Sequence, residues 1–357
     1  LARPHIFSFF LYTASLWILD EDRRQRSWRV WLLVPLSALW VNLHGGFVSL
    51  LLVLALLAAA SLAEGRRSAA KRYGVLGLFC LAATCVNPYG WRLHVHVIQY
   101  LNASWILDHV QEFQSPNIRS ESMVVFAILL LAGTALVSRA FGRRQYFEGA
   151  LALVWGFAAL RSARHIPFYA ISAAPLLASE ASLAWRRIAQ RAPARALGRV
   201  FWVLGQELGQ SRKVSLWVIF ASAGILAAAP AGVGFPDGRF PVRAVEQNRN
   251  LLTPAVGMPR LLTSDQWGDY IIFRLYPRQR VFFDGRSDFY GPALGSDYRA
   301  LQEAAPNWRE LLDRYRFQAA LLPLSWPLST VLGREAGWRE VYRDRLAVLC
   351  VREGGAR

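Results

Sequence analysis

Lysine is nearly missing from this chain. It occurs only at Lys71 and Lys213, so the formal net charge of +17 is carried almost wholly by arginine. Charged residues of both signs make up 18% of the chain, against about 25% in an ordinary soluble domain. Cysteine is scarce too. Cys80, Cys85 and Cys350 are too few and too scattered for a disulfide framework or a zinc site. Cys80 and Cys85 stand five apart and do not share a helix face, so all three are expected to be small buried residues. Position 1 is leucine, with no basic leader and no cleavage site behind it, so it does not open a signal peptide. The expectation is a fragment that lacks its N-terminal part. A nucleophile elbow, a phosphate-binding glycine loop and a quartet of metal ligands are also missing. These absences exclude, by local signal, a P-loop ATPase, a zinc protease and a serine hydrolase.

What is present is apolar. Hydrophobic residues make up 54% of the 357, and mean hydropathy is +0.23. The excess is concentrated in residues 1–233, while residues 234–357 have the composition of a soluble domain. Eight apolar segments stand out, at about 6–19, 28–43, 46–63, 73–86, 122–138, 147–162, 166–180 and 214–233. A membrane-spanning helix needs about 20 such residues. The expected fold is therefore mainly α: a polytopic transmembrane helix bundle of about eight spans over 1–233, then a small extracytoplasmic α/β domain over 234–357.

Charge orients the bundle. Arg23, Arg24, Arg26 and Arg29 follow the first segment, and Arg66, Arg67, Lys71 and Arg72 follow the third. Arg139, Arg143 and Arg144 follow the fifth, and a basic stretch from Arg186 to Lys213 follows the seventh. Every second connection is basic, which by the positive-inside rule makes these four cytoplasmic and puts 234–357 outside. Arginines spread among apolar runs in this way are not a nucleic-acid patch, so no nucleic-acid partner is expected. Trp185, Ile188, Leu197, Val200, Phe201 and Leu204 lie among the arginines of 181–213, a composition suited to an anionic membrane surface; a solvated linker with one interfacial helix is the plainer reading. "WRLHVHVIQYL" in the outer loop 88–121 predicts a short interfacial helix, with Trp91 and Tyr100 as anchors.

In the tail, 269–275 and 280–285 read as strands, as do "FQAALLPL" and "LAVLCVRE". "WRELLDRYR" has helical periodicity. The mixture predicts a small sheet with packed helices.

Polar clusters recur at the outer ends of the apolar segments, where ionisable groups mark function by default. Arg161, Arg164 and His165 join two segments on the side that the positive-inside rule disfavours for arginine. Guanidinium pairs with phosphate through paired hydrogen bonds, so this junction is a candidate for binding a lipid-linked phosphate. Snorkelling against ordinary lipid headgroups is the alternative. In "NLHGG", Asn42 and His44 precede glycines that permit a sharp turn or a close approach. His44 is a candidate to orient a phosphate, accept a proton or bind a metal; a tight turn with a hydrogen-bonded histidine is the plainer reading. Asn87 to Gly90 is turn chemistry. Glu112 is an acidic residue of the outer loop, a candidate general base or metal ligand; a surface role is the plainer reading. Asp284, Arg286, Asp288 and Tyr290 follow a tail strand, where binding residues often lie.

Six stretches occur in order: "ARPHIFSFFLYTASLWIL", "PLSALWVNLHGGF", "NPYGWRL", "QEFQSPN", "RSARHIPFYAISAAPLLA" and "VFFDGRSDFYG". Together they resemble a group of bacterial multi-span proteins within the GT-C superfamily of glycosyltransferases, closely over 2–180 and more loosely in the tail. The resemblance implies a bundle with a cleft at the outer face of the bacterial inner membrane. It implies a polyprenyl-phosphate sugar donor and a glycan, lipid or protein acceptor. Such enzymes use an acid in their first outer loop, with or without a divalent metal such as Mg or Mn. No position here matches that loop, so the catalytic acid is expected in the N-terminal part that is missing, and no metal ligand is assigned here. On this reading Arg161, Arg164, His165, His44 and Asn42 hold the donor phosphate, and Glu112, Asp284, Arg286 and Tyr290 serve the acceptor. Two other functions stay open: a transporter or flippase of an anionic lipid or polysaccharide precursor, and a non-catalytic scaffold for an envelope partner.

Overall fold

The computed structural model describes residues 4–109, 111–191, 197–210, 217–228, 234–253 and 260–353. The chain divides into two compact units, Leu1–Lys213 and Val214–Arg357. It is 69% helix with one small sheet of four strands.

Three stretches of the described residues are long and apolar enough to cross a membrane: Gly45–Ala63, Met123–Gly142 and Ala163–Arg191. They fit an association with the membrane, but they are three, not the expected eight. Length and charge explain the difference. The segment 6–19 belongs to helix His5–Arg24, whose last turns carry Asp20, Glu21, Asp22, Arg23 and Arg24. The segment 28–43 breaks into a 3₁₀ turn, Trp28–Leu32, and a helix of 9 residues, Leu33–Val41. The segment 73–86 lies in helix Arg67–Ala83, which opens with Arg67, Lys71 and Arg72. Helix Tyr146–Arg161 has 16 residues, or about 24 Å at 1.5 Å each, short of a hydrocarbon core of about 30 Å. Of the last segment, the described part is helix Trp217–Ala228, of 12 residues.

Aromatic packing holds the first unit together. The Tyr12 ring meets Trp155 and Phe168 edge-on, at centroid distances of 5.9 and 5.0 Å, and Trp155 stacks on Phe168 at 4.7 Å. Burying such rings removes large apolar areas from water. The Tyr12 hydroxyl is paired as well, 2.7 Å from Ser172 Oγ.

Ion pairs gather where helix His5–Arg24 ends. Arg72 closes on Asp22, Arg23 Nη1 lies 2.7 Å from Glu148 Oε1, and the Arg23 guanidinium rests over the Phe147 ring. Arg139 and Arg143 both pair with Glu180. Many of the arginines that fix orientation by sequence are thus matched by acids.

The basic stretch after 181 forms the end of helix Ile166–Arg191 and helix Leu197–Gln210. Trp185, Ile188, Leu197, Val200, Phe201 and Leu204 stay exposed, as a membrane-surface element requires. Arg92–Leu101 is a helix with no buried residue, in keeping with the expected surface helix. Cys80 and Cys350 are buried as expected, but Cys85 is exposed, because it lies beyond the end of helix Arg67–Ala83.

In the second unit the sheet has strands β1 (Leu261–Thr263), β2 (Ala319–Pro323), β3 (Trp338–Arg343) and β4 (Ala347–Arg352), in the order β1-β2-β4-β3. β1 runs parallel to β2; β4 is antiparallel to both β2 and β3. β2 and β4 are the expected strands, and Trp308–Arg314 is the expected helix. The other two strand expectations fail. Residues 269–275 lie in helix Asp265–Leu275, started by Ser264, whose hydroxyl accepts from the Trp267 N–H. Residues 280–285 reach the sheet only through a single bridge, Leu261 to Val281.

Candidate functional site

The candidate site lies at the start of helix His5–Arg24. Ser8, near its first turn, and Asp22, near its last, stand about 21 Å apart along the axis, which separates the site from the ion-pair end. The short link between Leu33–Val41 and the 3₁₀ turn Gly45–Phe47 brings in His44. Its Nδ1 lies 2.7 Å from Ser8 Oγ and accepts from the Gly46 N–H at 3.1 Å. Trp40 Nε1 donates to Ser8 Oγ at 2.9 Å. The His5 ring stands 4.5 Å from that of His44. Gly46 leaves the space that Ser8 occupies: a Cβ on Gly46 would collide with the Ser8 side chain. Nothing comparable surrounds Gly45.

The second contributor is the 3₁₀ turn Ala163–His165. Residues 111–114 dock on it: Ser162 Oγ donates to the Glu112 carbonyl at 3.0 Å, and the Ala163 N–H donates to the Gln114 carbonyl at 3.0 Å. The docking seats Phe113 under Arg164, whose guanidinium lies 4.3 Å from the ring centroid. Cation–ring contacts of this kind hold a guanidinium without neutralising it. No carboxylate pairs with Arg164 among the described residues.

His44 and Arg164 come together from distant parts of the sequence. Burial lowers the His44 pKa to about 4, and the charges of His5 and Arg164 push it the same way. His44 is therefore neutral at pH 7, beside a cation. His165 is held by its own Nδ1, which donates to the Ala158 carbonyl at 3.2 Å, and its ring lies 5.8 Å from that of Trp155.

Other expected site residues are placed differently. The Asn42 amide donates to the Ala38 and Val86 carbonyls, both at 2.7 Å; it ties two interhelical links together. Arg161 is exposed in the last turn of its helix. Glu112 contributes its carbonyl to the docking. Asn87 builds its turn, donating to the Thr84 and Gly90 carbonyls and accepting from the Tyr89 N–H. Ser8, Trp40, His5 and Phe113 carry no sequence signal for a site; only the fold assembles them.

The second unit holds its own polar cluster. Asp284 is buried and forms a salt bridge with Arg286 at 2.5 Å. It also accepts from the Arg286 backbone N–H at 2.9 Å. Phe283 stacks between Tyr290, at 4.5 Å, and Tyr298, at 4.2 Å. Burial pushes the Asp284 carboxyl up, but the hydrogen bonds from Arg286 and Tyr290 outweigh it, and its pKa falls below the ordinary value. Burial, then the Tyr290 contact with Asp284, raises the Tyr290 hydroxyl to about 12. Asp269, from helix Asp265–Leu275, adds its carboxylate, accepting from the Gly285 N–H at 3.2 Å. Gly268 permits this approach, because a Cβ there would run into the Phe283 carbonyl. Asp284, Arg286 and Tyr290 are thus together as the sequence suggests. The side chain of Asp288 lies outside the described residues.

Among the described residues no group of three or more His, Cys, Asp or Glu side chains is placed to hold a metal. The residues described do not fit a metal centre. A groove of about 540 Å³ lined by Ala181, Ser182, Trp185, Phe201, Trp202 and Gly205 is mostly apolar and has no titratable lining residue; none of these residues belongs to either cluster. Comparison with protein-family models and with curated proteins returned no match for this chain, so its geometry is what bears on function.

Proposed function

We propose that the chain is a glycosyltransferase-like protein that crosses the bacterial inner membrane several times. It transfers a sugar from a polyprenyl-phosphate donor to an acceptor at the outer face. One observation carries this reading: Arg164, a cation with no acidic partner among the described residues, shares a corner of the helical unit with the neutral His44. The opposite helix end pairs its arginines with acids. A cation kept unpaired among packed side chains is suited to an incoming anion.

On this reading Arg164 holds the donor phosphate and stabilises the charge it gains as the bond between sugar and phosphate breaks. His44 supports it. Arg161, exposed at the rim, meets the ligand first, Asn42 fixes the link that carries His44, and His165 completes the turn. Asp284, Arg286 and Tyr290 bind acceptor. The second unit and the basic links follow the orientation given by charge. The sequence resemblance to GT-C transferases supports the sugar chemistry.

The test uses the full native gene product in membrane vesicles, with radiolabelled polyprenyl-phosphate sugar. Arg164→Ala should lower label transfer by about 10²–10³ at an unchanged protein level. Parallel loss of protein and transfer, or unchanged transfer, would refute the assignment. Movement of intact donor across the membrane, without cleavage, would instead identify a flippase.

A further inference from the structure

We infer that Ser8 and Trp40 are positioning residues that fix His44 as its Nε2–H tautomer, so that it meets a phosphate oxygen as a neutral donor rather than as a base or a metal ligand. The phosphate half of this inference rests on the function proposed above. The tautomer half stands on hydrogen bonds alone.

A backbone N–H only donates, and the Gly46 N–H points at His44 Nδ1. Indole Nε1–H also only donates, and that of Trp40 points at Ser8 Oγ. The Ser8 hydroxyl therefore accepts from Trp40 and turns its own proton to His44 Nδ1, 2.7 Å away. Ser8 and Trp40 are both 0% exposed, so water does not compete for these bonds. Two donors converge on Nδ1, which must present its lone pair. In a neutral imidazole the proton then sits on Nε2. That nitrogen has no partner among the described residues.

His165 is set the other way. Its Nδ1 faces the Ala158 carbonyl, which only accepts. The proton is on Nδ1, and Nε2 carries a lone pair. The charge of Arg164 acts on both rings. The ligand these groups fit is a phosphate that carries a hydroxyl-bearing group: oxyanion toward Arg164 and His44, hydroxyl toward His165. A phosphorylated sugar has both.

The test is ¹⁵N NMR of the full chain, labelled at its histidines, in micelles at pH 7. His44 should show a bare Nδ1 and a protonated Nε2; His165 should show the reverse. Ser8→Ala should shift His44 toward a mixture of tautomers and leave His165 unmoved. A proton on His44 Nδ1 in the unmodified protein, or a doubly protonated ring, overturns the inference. An unmoved His44 spectrum in a folded Ser8→Ala variant overturns the role of Ser8. If that variant does not fold, the unmodified protein still decides. Farnesyl phosphate and inorganic phosphate are then titrated in. His44→Gln, which keeps an N–H donor, should retain farnesyl phosphate binding, and His44→Leu should lose roughly tenfold in affinity. A response to both probes supports phosphate recognition; a response to farnesyl phosphate alone supports its lipid-linked form. A response to neither, with the tautomers as stated, overturns the phosphate role and the function beneath it, not the tautomer.

Discussion

Arg72 reaches back 50 residues to close on Asp22: its Nη2 lies 2.8 Å from Oδ1 and its Nε 3.2 Å from Oδ2. The Asp22 side chain is 1% exposed and that of Arg72 13%. The Ser27 N–H and the Tyr73 hydroxyl also donate to the carboxylate. A carboxylate with four donors and almost no water is well matched, but either partner alone would be a stranded charge. Asp22→Ala should therefore destabilise the helical unit by about 3–5 kcal/mol, read by denaturant titration in micelles. An effect within about 0.5 kcal/mol, as at an ordinary surface site, would mean that the pair is not closed.

The two glycines after His44 should respond unequally. Gly46→Ala forces a methyl group onto Ser8 and should destabilise by about 1–3 kcal/mol, as overpacking does. It should also disorder the His44 link. Gly45→Ala meets nothing within 4 Å and should change stability by no more than about 0.5 kcal/mol. Thermal unfolding of the two variants side by side checks this. Equal effects would contradict the close approach of Gly46 to Ser8.

Acid should loosen the second unit through Asp284. Its folded-state pKa is depressed, so the stability it contributes is complete above the ordinary carboxyl value, about 4. That stability is lost as pH falls through the folded value. Asp269 is shifted the opposite way, upward, chiefly by burial, but its carboxylate reaches solvent and water screens the effect. Hydrogen exchange of β1 in the full chain should therefore speed up below about pH 4. Asp284→Asn should be less protected at pH 7 and lose most of this acid response. An unchanged acid response in that variant would assign it elsewhere.

The cysteines report orientation. Cys85 is exposed, whereas Cys80 and Cys350 are buried. In intact spheroplasts a membrane-impermeant maleimide should label Cys85 and spare the other two. Cys85→Ser should abolish labelling. Labelling of Cys85 only in inverted vesicles would reverse the orientation drawn from the arginine-rich links, and with it the outer location of His44 and Arg164.

Local signals were legible in the sequence and tertiary ones were not. β2 and β4 show as short apolar runs because both faces of each are covered. β3, Trp-Arg-Glu-Val-Tyr-Arg, does not: it is an edge strand with charged side chains facing water. Residues 269–275 look like a strand by their apolar run, but Ser264 and Asp265 upstream supply a helix start that the run alone hides. Apolar windows over-count spans because they register hydropathy and ignore where helices break. The cluster Asp284, Arg286 and Tyr290 is legible because its members are neighbours in sequence. His44 and Arg164 show as polar residues at the ends of apolar segments. Their shared corner does not show, nor does the bond from Ser8 to His44 across 36 residues. Arg161 and Asn42 carry the same signal, but Arg161 stays exposed at the end of its helix and the Asn42 amide ties two links together.

β4 has a consequence for biosynthesis. It follows β1, β2 and β3 in sequence, yet it lies inside the sheet, bonded to β2 on one side and β3 on the other. β1 is made long before, and its partner Ala319 follows Leu261 by 58 residues. The sheet therefore has no complete interior until residue 352 has left the ribosome. Until then the apolar strand β2 has an open edge, the kind of edge that invites aggregation. The sheet of the second unit thus closes only after β4 has been made, and a change that disturbs residues 347–352 strikes the middle of it.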